Sequence, residues 1–283
     1  MAGYKNTFAY VGNWDKSKSP PRNGFGICRY NAETGALALI KSVFDEISVG
    51  ATCFDSRRNI LYCTDECTTL PGYFLGGGGR VYAFAIDPET GDLTEINHQP
   101  SYGSLPSHVA VDATGQYLIV TNHTDKAPVT KVAKDPSGKY RIALEYDDAT
   151  TVLFRLHDDG SIGEPCDVYK HSGSGGPLSR QTHPQLHSVM MSPSGNLFAV
   201  CDKGNDRIYF FRINRETQKL ELGGGEGYQS IPGSSPRYSV FHPTRPYIYV
   251  NHETRAVICA FRYDEDGKLE PVCTVNALPE DCE

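Results

Sequence analysis

The 283-residue sequence lacks the features that mark membrane-spanning, secreted or nucleic-acid-binding proteins. It contains no apolar run of about 18 residues, the length that a transmembrane helix requires. The N-terminal stretch MAGYKNTFAYVG has no apolar signal-peptide core. No block rich in lysine and arginine occurs, and the formal net charge is −7. We therefore expect neither a membrane nor a nucleic acid among its partners, although a local basic pocket for a small anion remains possible.

Paired metal-binding cysteines are also missing. The chain has nine cysteines, but no Cys-x-x-Cys pair occurs among them. Cys63 and Cys67 have no second pair that would complete a zinc site. Most of the cysteines lie in apolar strand-like runs such as FAVCDKG, where cysteine packs as a small hydrophobic residue. This usage favours reduced thiols and a cytoplasmic location.

What the sequence does contain is a repeat of two alternating units. In the first unit, a polar turn resembling D-x-x-T-G joins two alternating strands. It recurs at residues 25–40, 81–96, 151–166, 208–223 and 257–272. The second unit is also strand–turn–strand, and it occurs at 108–124, 187–204 and 238–254, with a weaker copy at 52–68. Each unit is typical of a β-hairpin.

Together, the two units form one four-stranded antiparallel sheet about every 50 residues, which is the period of a propeller blade. The sequence therefore predicts an all-β fold, a single β-propeller domain over residues 1–283. A β-sandwich is the alternative, but it does not account for so regular a period. Four complete blades and three further strands can be counted, about five blades in all.

Two departures from the repeat stand out. Residues 123–151 are predicted to be an insertion within blade three, and it could serve as a lid or be a decorative hairpin. The last residues, TVNALPEDCE, add no strand that would complete the first blade. An open sheet edge is rarely left bare, so we expect the ring to be completed by residues beyond Glu283 or by a partner chain.

Polar residues occupy equivalent places in successive repeats. Three of them enter the innermost strand: Ser107, His187 and Arg237. Four of them leave the second strand: Glu66, His123, Lys203 and Glu253, with Trp14 at the equivalent place in the first blade. In an antiparallel pair, the start of one strand lies beside the end of the next, so we expect both sets on one rim of the central channel. Histidine and glutamate can transfer protons there, and arginine can hold an anion.

Several stretches resemble the lactonase family of seven-bladed propellers. They are YVGNWD with GFGICRYNAETGAL, then GGGGRVYAFAIDPETGDL, HSVMMSPSGNLFAVCDKGNDRIYFFRIN and SSPRYSVFHPTRPYIYVNHETRAVICAFRYD, and finally NALPEDCE. The resemblance covers essentially the whole chain, and it implies an expected total of seven blades, two of which this chain lacks. It also implies a hydrolase of the 6-phosphogluconolactonase type that acts on a small anionic sugar lactone and uses no metal or other cofactor.

The resemblance implies catalytic roles for His187, Arg237 and Glu253. Where the family usually has His-Pro-His, this sequence has His183-Pro184-Gln185-Leu186-His187, so either histidine could take the role. The repeat register favours His187. As substrate-binding residues we predict His183, Lys203, His123, Ser107 and Glu66. The two histidines are not expected to form a metal pair, because a proline-containing loop precedes the strand.

Other functions remain open from the sequence. One is a cycloisomerase of the carboxymuconate lactonizing type, which would use the same residues for proton abstraction. Another is a non-enzymatic propeller that binds a ligand or a protein on its rim. The glycine runs at 76–79 and 223–225 are not followed by a helix with Lys-Ser/Thr, so they are interpreted as flexible connections and not as phosphate loops. The sequence does not indicate the oligomeric state, and a chain that ended at Glu283 would be expected to lose activity.

Overall fold

The computed structural model describes residues 7–14, 24–124, 127–176 and 181–279. Every regular element in these residues is a β-strand, which confirms the predicted all-β class. None of the described residues forms a helix long and apolar enough to cross a membrane. The eight cysteines in these ranges are free thiols.

The strands group into blades in chain order. Blade one has β1 (Thr7–Gly12), β2 (Phe25–Tyr30) and β3 (Leu37–Val43). Blade two has β4 (Val49–Asp55), β5 (Ile60–Asp65), β6 (Arg80–Ile86) and β7 (Leu93–Pro100). Blade three has β8 (Pro106–Val111), β9 (Tyr117–Asn122), β12 (Thr150–Leu156) and β13 (Ile162–Lys170), with β10 (Val129–Lys134) and β11 (Tyr140–Glu145) inserted. Blade four has β14 (Leu186–Met191), β15 (Phe198–Asp202), β16 (Arg207–Asn214) and β17 (Lys219–Gln229). Blade five has β18 (Pro236–Phe241), β19 (Tyr247–His252), β20 (Val257–Tyr263) and β21 (Leu269–Asn276).

The sheet topology matches the predicted blades. Four sheets have four antiparallel strands, and the sheet of blade one has the three strands β1, β2 and β3. The first strands of blades two to five, β4, β8, β14 and β18, lie next to one another in sequence order. These inner strands therefore line the centre of the fold, and the outer strands lie on the circumference.

Hydrophobic cores fill the spaces between neighbouring blades. Ile60 and Tyr62 of blade two pack with Val109 and Phe154 of blade three, and similar clusters lie between the other neighbouring blades. The second strand of each of blades two to four is buried on both faces, which explains its continuous apolar run. Burying one such large side chain contributes about 1.5–3 kcal/mol, so the contacts between blades hold the arc together.

Two irregular segments interrupt the regular blades. Strands β10 and β11 lie between β9 and β12, within the predicted insertion, and they form a two-stranded sheet of their own. The glycine run 223–225, interpreted from sequence as a flexible connection, lies inside β17. That interpretation is wrong because β17 bulges at this point: Phe210 pairs with Gly223 and Ile208 with Tyr228. Gly224 and Gly225 adopt positive φ angles of 68° and 85° within the bulge.

Candidate functional site

The site begins with a β-bulge that recurs in the inner strands. In β8, β14 and β18, the pairing with the second strand slips by one residue after the first strand position. The residues at the slip are Ser107, His187 and Arg237, the three that the sequence places in register. Gly50 lies in the corresponding irregularity of β4. A bulge redirects a side chain out of the regular strand alternation, and here it occurs at the rim of the central channel.

The opposing set of residues is fixed by one repeated backbone bond. In each of blades two to five, the residue after the second strand donates its amide N–H to the carbonyl of the residue two positions before the bulge. The four donors are Glu66, His123, Lys203 and Glu253. The four N···O distances are 2.7 Å (to Ser48), 2.9 Å (to Leu105), 3.0 Å (to Gln185) and 2.9 Å (to Ser235). The two sets of polar residues are therefore structurally equivalent from blade to blade, as the sequence register predicts.

An ion-pair cluster connects blades four and five at this rim. Lys203 Nζ donates a hydrogen bond to Glu253 Oε2 at 2.7 Å. Arg237 Nε lies 2.9 Å from the same oxygen. Its N–H does not point at the oxygen well enough for a hydrogen bond, so this second contact is mainly one of charge. The three side chains of the cluster are two cations and one carboxylate, so their formal charges sum to +1, which favours an anionic ligand.

Glu253 is held in its ionised form. Burial by itself raises the pKa of this carboxyl. The hydrogen bond from Lys203 and the charges of Lys203, Arg237 and His123 outweigh the burial, so the pKa lies below its usual value. At neutral pH, Glu253 is therefore a carboxylate that can accept a proton.

His187 lies beside this cluster as a neutral imidazole. Its ring meets the ring of His123 at 5.8 Å and that of Tyr238 at 4.8 Å, both edge to face. Burial, followed by the positive charges of Arg237, His123 and Lys203, lowers the pKa of His187 to about 2. Its buried Nδ1 has no hydrogen-bond partner among the described residues. The ring is therefore uncharged at neutral pH, and its Nδ1 has an unused hydrogen-bonding capacity.

His183 has a different environment from His187. It is buried, with 5% of its surface exposed, and its ring stacks on that of Tyr146 at 3.9 Å. Its Nδ1 lies 2.9 Å from the hydroxyl of Thr182. Tyr146 immediately follows β11, so this stack packs the base of the inserted hairpin against the loop before β14. His183 therefore packs against the base of the hairpin, and His187 is the histidine that lies among the charged groups.

Ser107 is buried between blades three and four. Its hydroxyl donates to the carbonyl of Leu186 at 2.8 Å and lies 3.2 Å from both oxygens of Thr121. These contacts connect β8 to the start of β14. We therefore omit Ser107 from the proposed substrate contacts, although the sequence placed it in the same register as His187.

The remaining predicted residues lie farther along the rim. His123 belongs to blade three, where its Nδ1 lies 3.1 Å from the carbonyl of Thr124. Glu66 belongs to blade two and lies directly over Gly50, where a β-carbon would come within 2.4 Å of Glu66 Oε2. The absence of a side chain at Gly50 therefore makes room for the carboxylate. The ring of His123 therefore contacts the ring of His187, whereas Glu66 lies over Gly50 of its own blade.

Sequence reasoning missed Tyr238. Its ring lies between His187 and Arg237, with the guanidinium Cζ 5.1 Å from the ring centroid. Its backbone N–H donates to Asn251 Oδ1 at 2.7 Å. The signal in the sequence was its position directly after Arg237. The bulge at Arg237 directs this residue and the next one towards the same cluster.

The described residues contain no group of three or more His, Cys, Asp or Glu side chains that could hold a metal ion. The candidate site thus consists of a carboxylate, two cations and a neutral imidazole. This set can transfer a proton, hold an anion and stabilise a developing oxyanion.

Comparison with known proteins gives the family. The family model described as "Lactonase, 7-bladed beta-propeller" matches residues 8–283. A 6-phosphogluconolactonase of Bacillus subtilis is 28% identical over 275 residues, which cover 96% of this chain and 67% of the relative. A 6-phosphogluconolactonase of Formosa agariphila is 26% identical over 269 residues, which cover 95% of this chain and 67% of the relative. The chain thus spans about two thirds of the length of these curated relatives.

Solved structures agree with the fold. A periplasmic gluconolactonase of Pseudomonas aeruginosa superimposes with a TM-score of 0.78 at 19% identity, covering 98% of this chain and 70% of that one. A protein from Lactobacillus plantarum gives a TM-score of 0.76 at 20% identity, covering 98% of this chain and 69% of that one. The family match, the curated relatives and the shared fold confirm the resemblance inferred from sequence, including the expectation of an enzyme of the lactonase type. This chain belongs to the lactonase family of seven-bladed β-propellers.

Proposed function

We propose that the protein hydrolyses a sugar lactone, with 6-phosphogluconolactone as the first substrate to test. The observation that carries this proposal is the cluster of Lys203, Arg237 and Glu253 beside the uncharged His187. Membership of the lactonase family and relatives called 6-phosphogluconolactonase support the choice of reaction. The excess positive charge of the cluster supports an anionic substrate.

In the proposed reaction, a water molecule attacks the lactone carbonyl carbon. Glu253 or His187 takes the proton of the water, and the new C–O bond gives a tetrahedral oxyanion that Arg237 stabilises. The ring C–O bond then breaks, and the leaving alkoxide receives the proton that the base took from the water, which gives an open-chain hydroxy acid and restores the base. The ionised Glu253 is the better base in the free site, because burial and, after it, the charges around His187 disfavour protonation of that ring.

Binding of an anion would change this balance. The charges of Arg237 and Lys203 contribute to the low pKa of His187, and a substrate phosphate or carboxylate would compensate them. We expect the pKa of His187 to rise when such a substrate binds, so that this residue can share the acid–base role. Lys203 and His123 are the proposed contacts of the substrate anion.

The test is an assay of the protein with 6-phosphogluconolactone, with uncharged gluconolactone and with a carboxymuconate lactone as comparison substrates. We expect the phosphorylated lactone to have the highest kcat/KM. The variants Glu253→Gln and His187→Ala should each lose about 100-fold or more of kcat, the usual range for general acid–base groups. The control is Glu216→Gln in the exposed β16–β17 turn. Wild-type turnover in both site variants would refute the proposed mechanism, and faster turnover of the muconate lactone would favour cycloisomerase chemistry.

A non-enzymatic role on the rim is the second candidate. It is favoured by the engagement of Glu253 in ion pairs with two residues of the chain itself. The cavity of about 810 Å³ near Leu197 and Arg262 lies at the opposite end of the strands of blades four and five, so it provides no pocket for the ion-pair cluster. Binding of a lactone without turnover, weakened by Arg237→Gln, would support this second role over hydrolysis.

A further inference from the structure

A second polar cavity lies away from the ion-pair cluster. It has a volume of about 370 Å³, within the range of small-ligand pockets, and it is lined by residues of blades three and four. Tyr169 and His171 come from the end of β13 and the residue after it, and Asn205 and Arg207 come from the turn between β15 and β16 and the start of β16. None of the proposed catalytic residues lines this cavity.

Two polar atoms of residues that line this cavity are buried, with almost no accessible surface, and have no hydrogen-bond partner among the described residues: His171 Nδ1 and Asn205 Oδ1. Their residues are only 8% and 4% exposed. The other polar atoms of both side chains are engaged, since His171 Nε2 lies 3.0 Å from Thr151 Oγ1 and Asn205 Nδ2 donates to Ser172 O at 2.9 Å. A buried polar atom without a partner is costly, and such atoms in one cavity indicate a ligand that bonds to them.

The repeat shows that the fold does not need a histidine at this position. The backbone N–H of His171 donates to Ala149 O at 2.9 Å, a bond that follows the outer strand in blades two, four and five as well. The equivalent residues there are Ser101, Ser230 and Ala277. A small residue is therefore sufficient for this blade position, and the imidazole is an addition particular to blade three.

The surroundings of the two atoms restrict the chemistry of a ligand. Burial lowers the pKa of His171 to about 3, so the ring is uncharged near neutral pH. Arg207 and Glu226 both line the cavity, where Arg207 Nη1 donates to Glu226 O at 2.8 Å, so the formal charges of the cavity cancel. The rings of Tyr169 and Tyr209 meet the His171 ring edge to face at 4.8 Å and 4.7 Å. Aromatic walls with hydrogen-bonding groups suit a compact ligand that has both apolar C–H faces and hydroxyl groups.

We propose that the cavity between blades three and four is a second binding site, for a neutral polyhydroxylated molecule such as a sugar. A small movement of these two side chains towards the cavity would let one ligand hydroxyl donate to Asn205 Oδ1 and another bond to His171 Nδ1. The exposed hydroxyls of Ser172 and Ser174 lie at its mouth and offer further contacts. This proposal does not depend on lactone hydrolysis, because it uses none of the residues of the ion-pair cluster.

The experiment is a titration of the ¹⁵N-labelled protein with D-glucose as the neutral probe and D-gluconate as an anionic probe of similar size. The nitrogen and carbon-bound proton resonances of the His171 ring report binding. We expect glucose to shift these resonances saturably and gluconate to shift them less, because a carboxylate would lose its hydration in a cavity that has no net positive charge to compensate it. The same shift should persist in His187→Ala, because His187 lies beside the ion-pair cluster and does not line this cavity.

Two variants distinguish the cavity from other binding sites on the protein. His171→Ser introduces the residue found in blades two and four, and it should weaken glucose binding about tenfold, as measured by calorimetry. Ser174→Trp fills the mouth of the cavity without altering a buried hydrogen bond, and it should abolish the shift of the His171 resonances. Unchanged His171 resonances at saturating glucose, tighter binding of gluconate, or wild-type affinity in folded Ser174→Trp would each overturn the proposal.

Discussion

Lys203 and Glu253 occupy the same position in successive blades, and their side chains meet in a 2.7 Å hydrogen bond. Each residue directly follows the second strand of its blade, and the same backbone bond fixes each of them. The repeat brings equivalent backbone positions of neighbouring blades close together. A lysine at this position in one blade and a glutamate in the next are then sufficient to form an ion pair. Arg237 adds a second cation from the bulge position of blade five.

Replacement of Lys203 by methionine should change the pH dependence of activity. Lys203 is the main group that holds the pKa of Glu253 below its usual value, so its removal should raise that pKa. A base must be deprotonated to act, so activity is lost as the pH falls through the pKa of Glu253. The acid limb of the kcat profile should therefore move to higher pH in Lys203→Met. Lys219→Met is the control, because Lys219 pairs with Asp167 on the outer strands. An unchanged acid limb would show that Glu253 is not the base.

Replacement of Ser107 by alanine should affect stability and leave catalysis unchanged. The substitution removes the hydrogen bond to Leu186 O and leaves buried oxygen atoms without their donor. We expect a loss of about 1–2 kcal/mol in the free energy of unfolding, measured by urea denaturation. We expect kcat and KM for the lactone to stay within about twofold of wild type, a difference of less than 0.5 kcal/mol. A large rise in KM without loss of stability would instead support the substrate contact predicted from sequence.

The stability of the protein should fall on mild acidification. The pKa values of His108, His171 and His187 are lowered mainly by burial, to about 4, 3 and 2, and that of His252 is lowered as well. Below about pH 6.5 the unfolded chain protonates these histidines while the folded chain does not, so the unfolded state gains protons and stability falls. Asp202 acts in the opposite direction between pH 6 and 4, because burial raises its pKa to about 6.

The histidines outnumber the opposing carboxyl, so the net effect has a definite sign. Each group contributes up to about 1.4 kcal/mol per pH unit, which predicts a loss of about 2 kcal/mol or more between pH 6 and pH 5. Urea denaturation at pH 7, 6 and 5 measures it. The variant His171→Gln should show a smaller slope, because one buried histidine is removed. A free energy of unfolding that rises on acidification would contradict the assignment of neutral buried histidines.

Removal of the inserted hairpin should leave the blades intact. Strands β10 and β11 pair only with each other among the described strands, and Val132 and Ile142 on one face are 78% and 73% exposed. Val129 pairs with Glu145, so two glycines can replace residues 128–145 without straining the chain. We expect the melting temperature to stay within a few degrees of wild type.

The same deletion tests whether the hairpin shapes the substrate site. The insertion leaves blade three after His123 and returns at Tyr146, which stacks on His183. An increase in KM with an unchanged melting temperature would identify a lid or a substrate-shaping loop, because the deletion keeps Tyr146. Unchanged kinetics would identify the hairpin as decorative, and a large drop in melting temperature would contradict its independence from the blades.

The blade register was predictable because a repeat carries its own alignment. The polar turns fix the relative position of the strands, and the structure confirms that His187 and Arg237 occupy equivalent bulges. The orientation of individual side chains was less predictable. Ser107 shares the register of His187 but is directed at the neighbouring strand, because a short hydroxyl can bond to the backbone where a larger side chain cannot fit. The bulge in β17 was hidden because a glycine run has the same composition in a loop and in a bulge.

The sequence by itself determined the all-β class, the strand–turn–strand blades, the inserted hairpin and the set of residues at the rim. These follow from alternating hydrophobicity and from turn chemistry, which are local properties of the chain. Only the tertiary structure decided that Lys203 and Arg237 share the carboxylate of Glu253, that His187 is uncharged, and that His183 packs under the hairpin. Those properties depend on burial and on charges brought together from different blades, and neither is encoded in the spacing of residues along one strand.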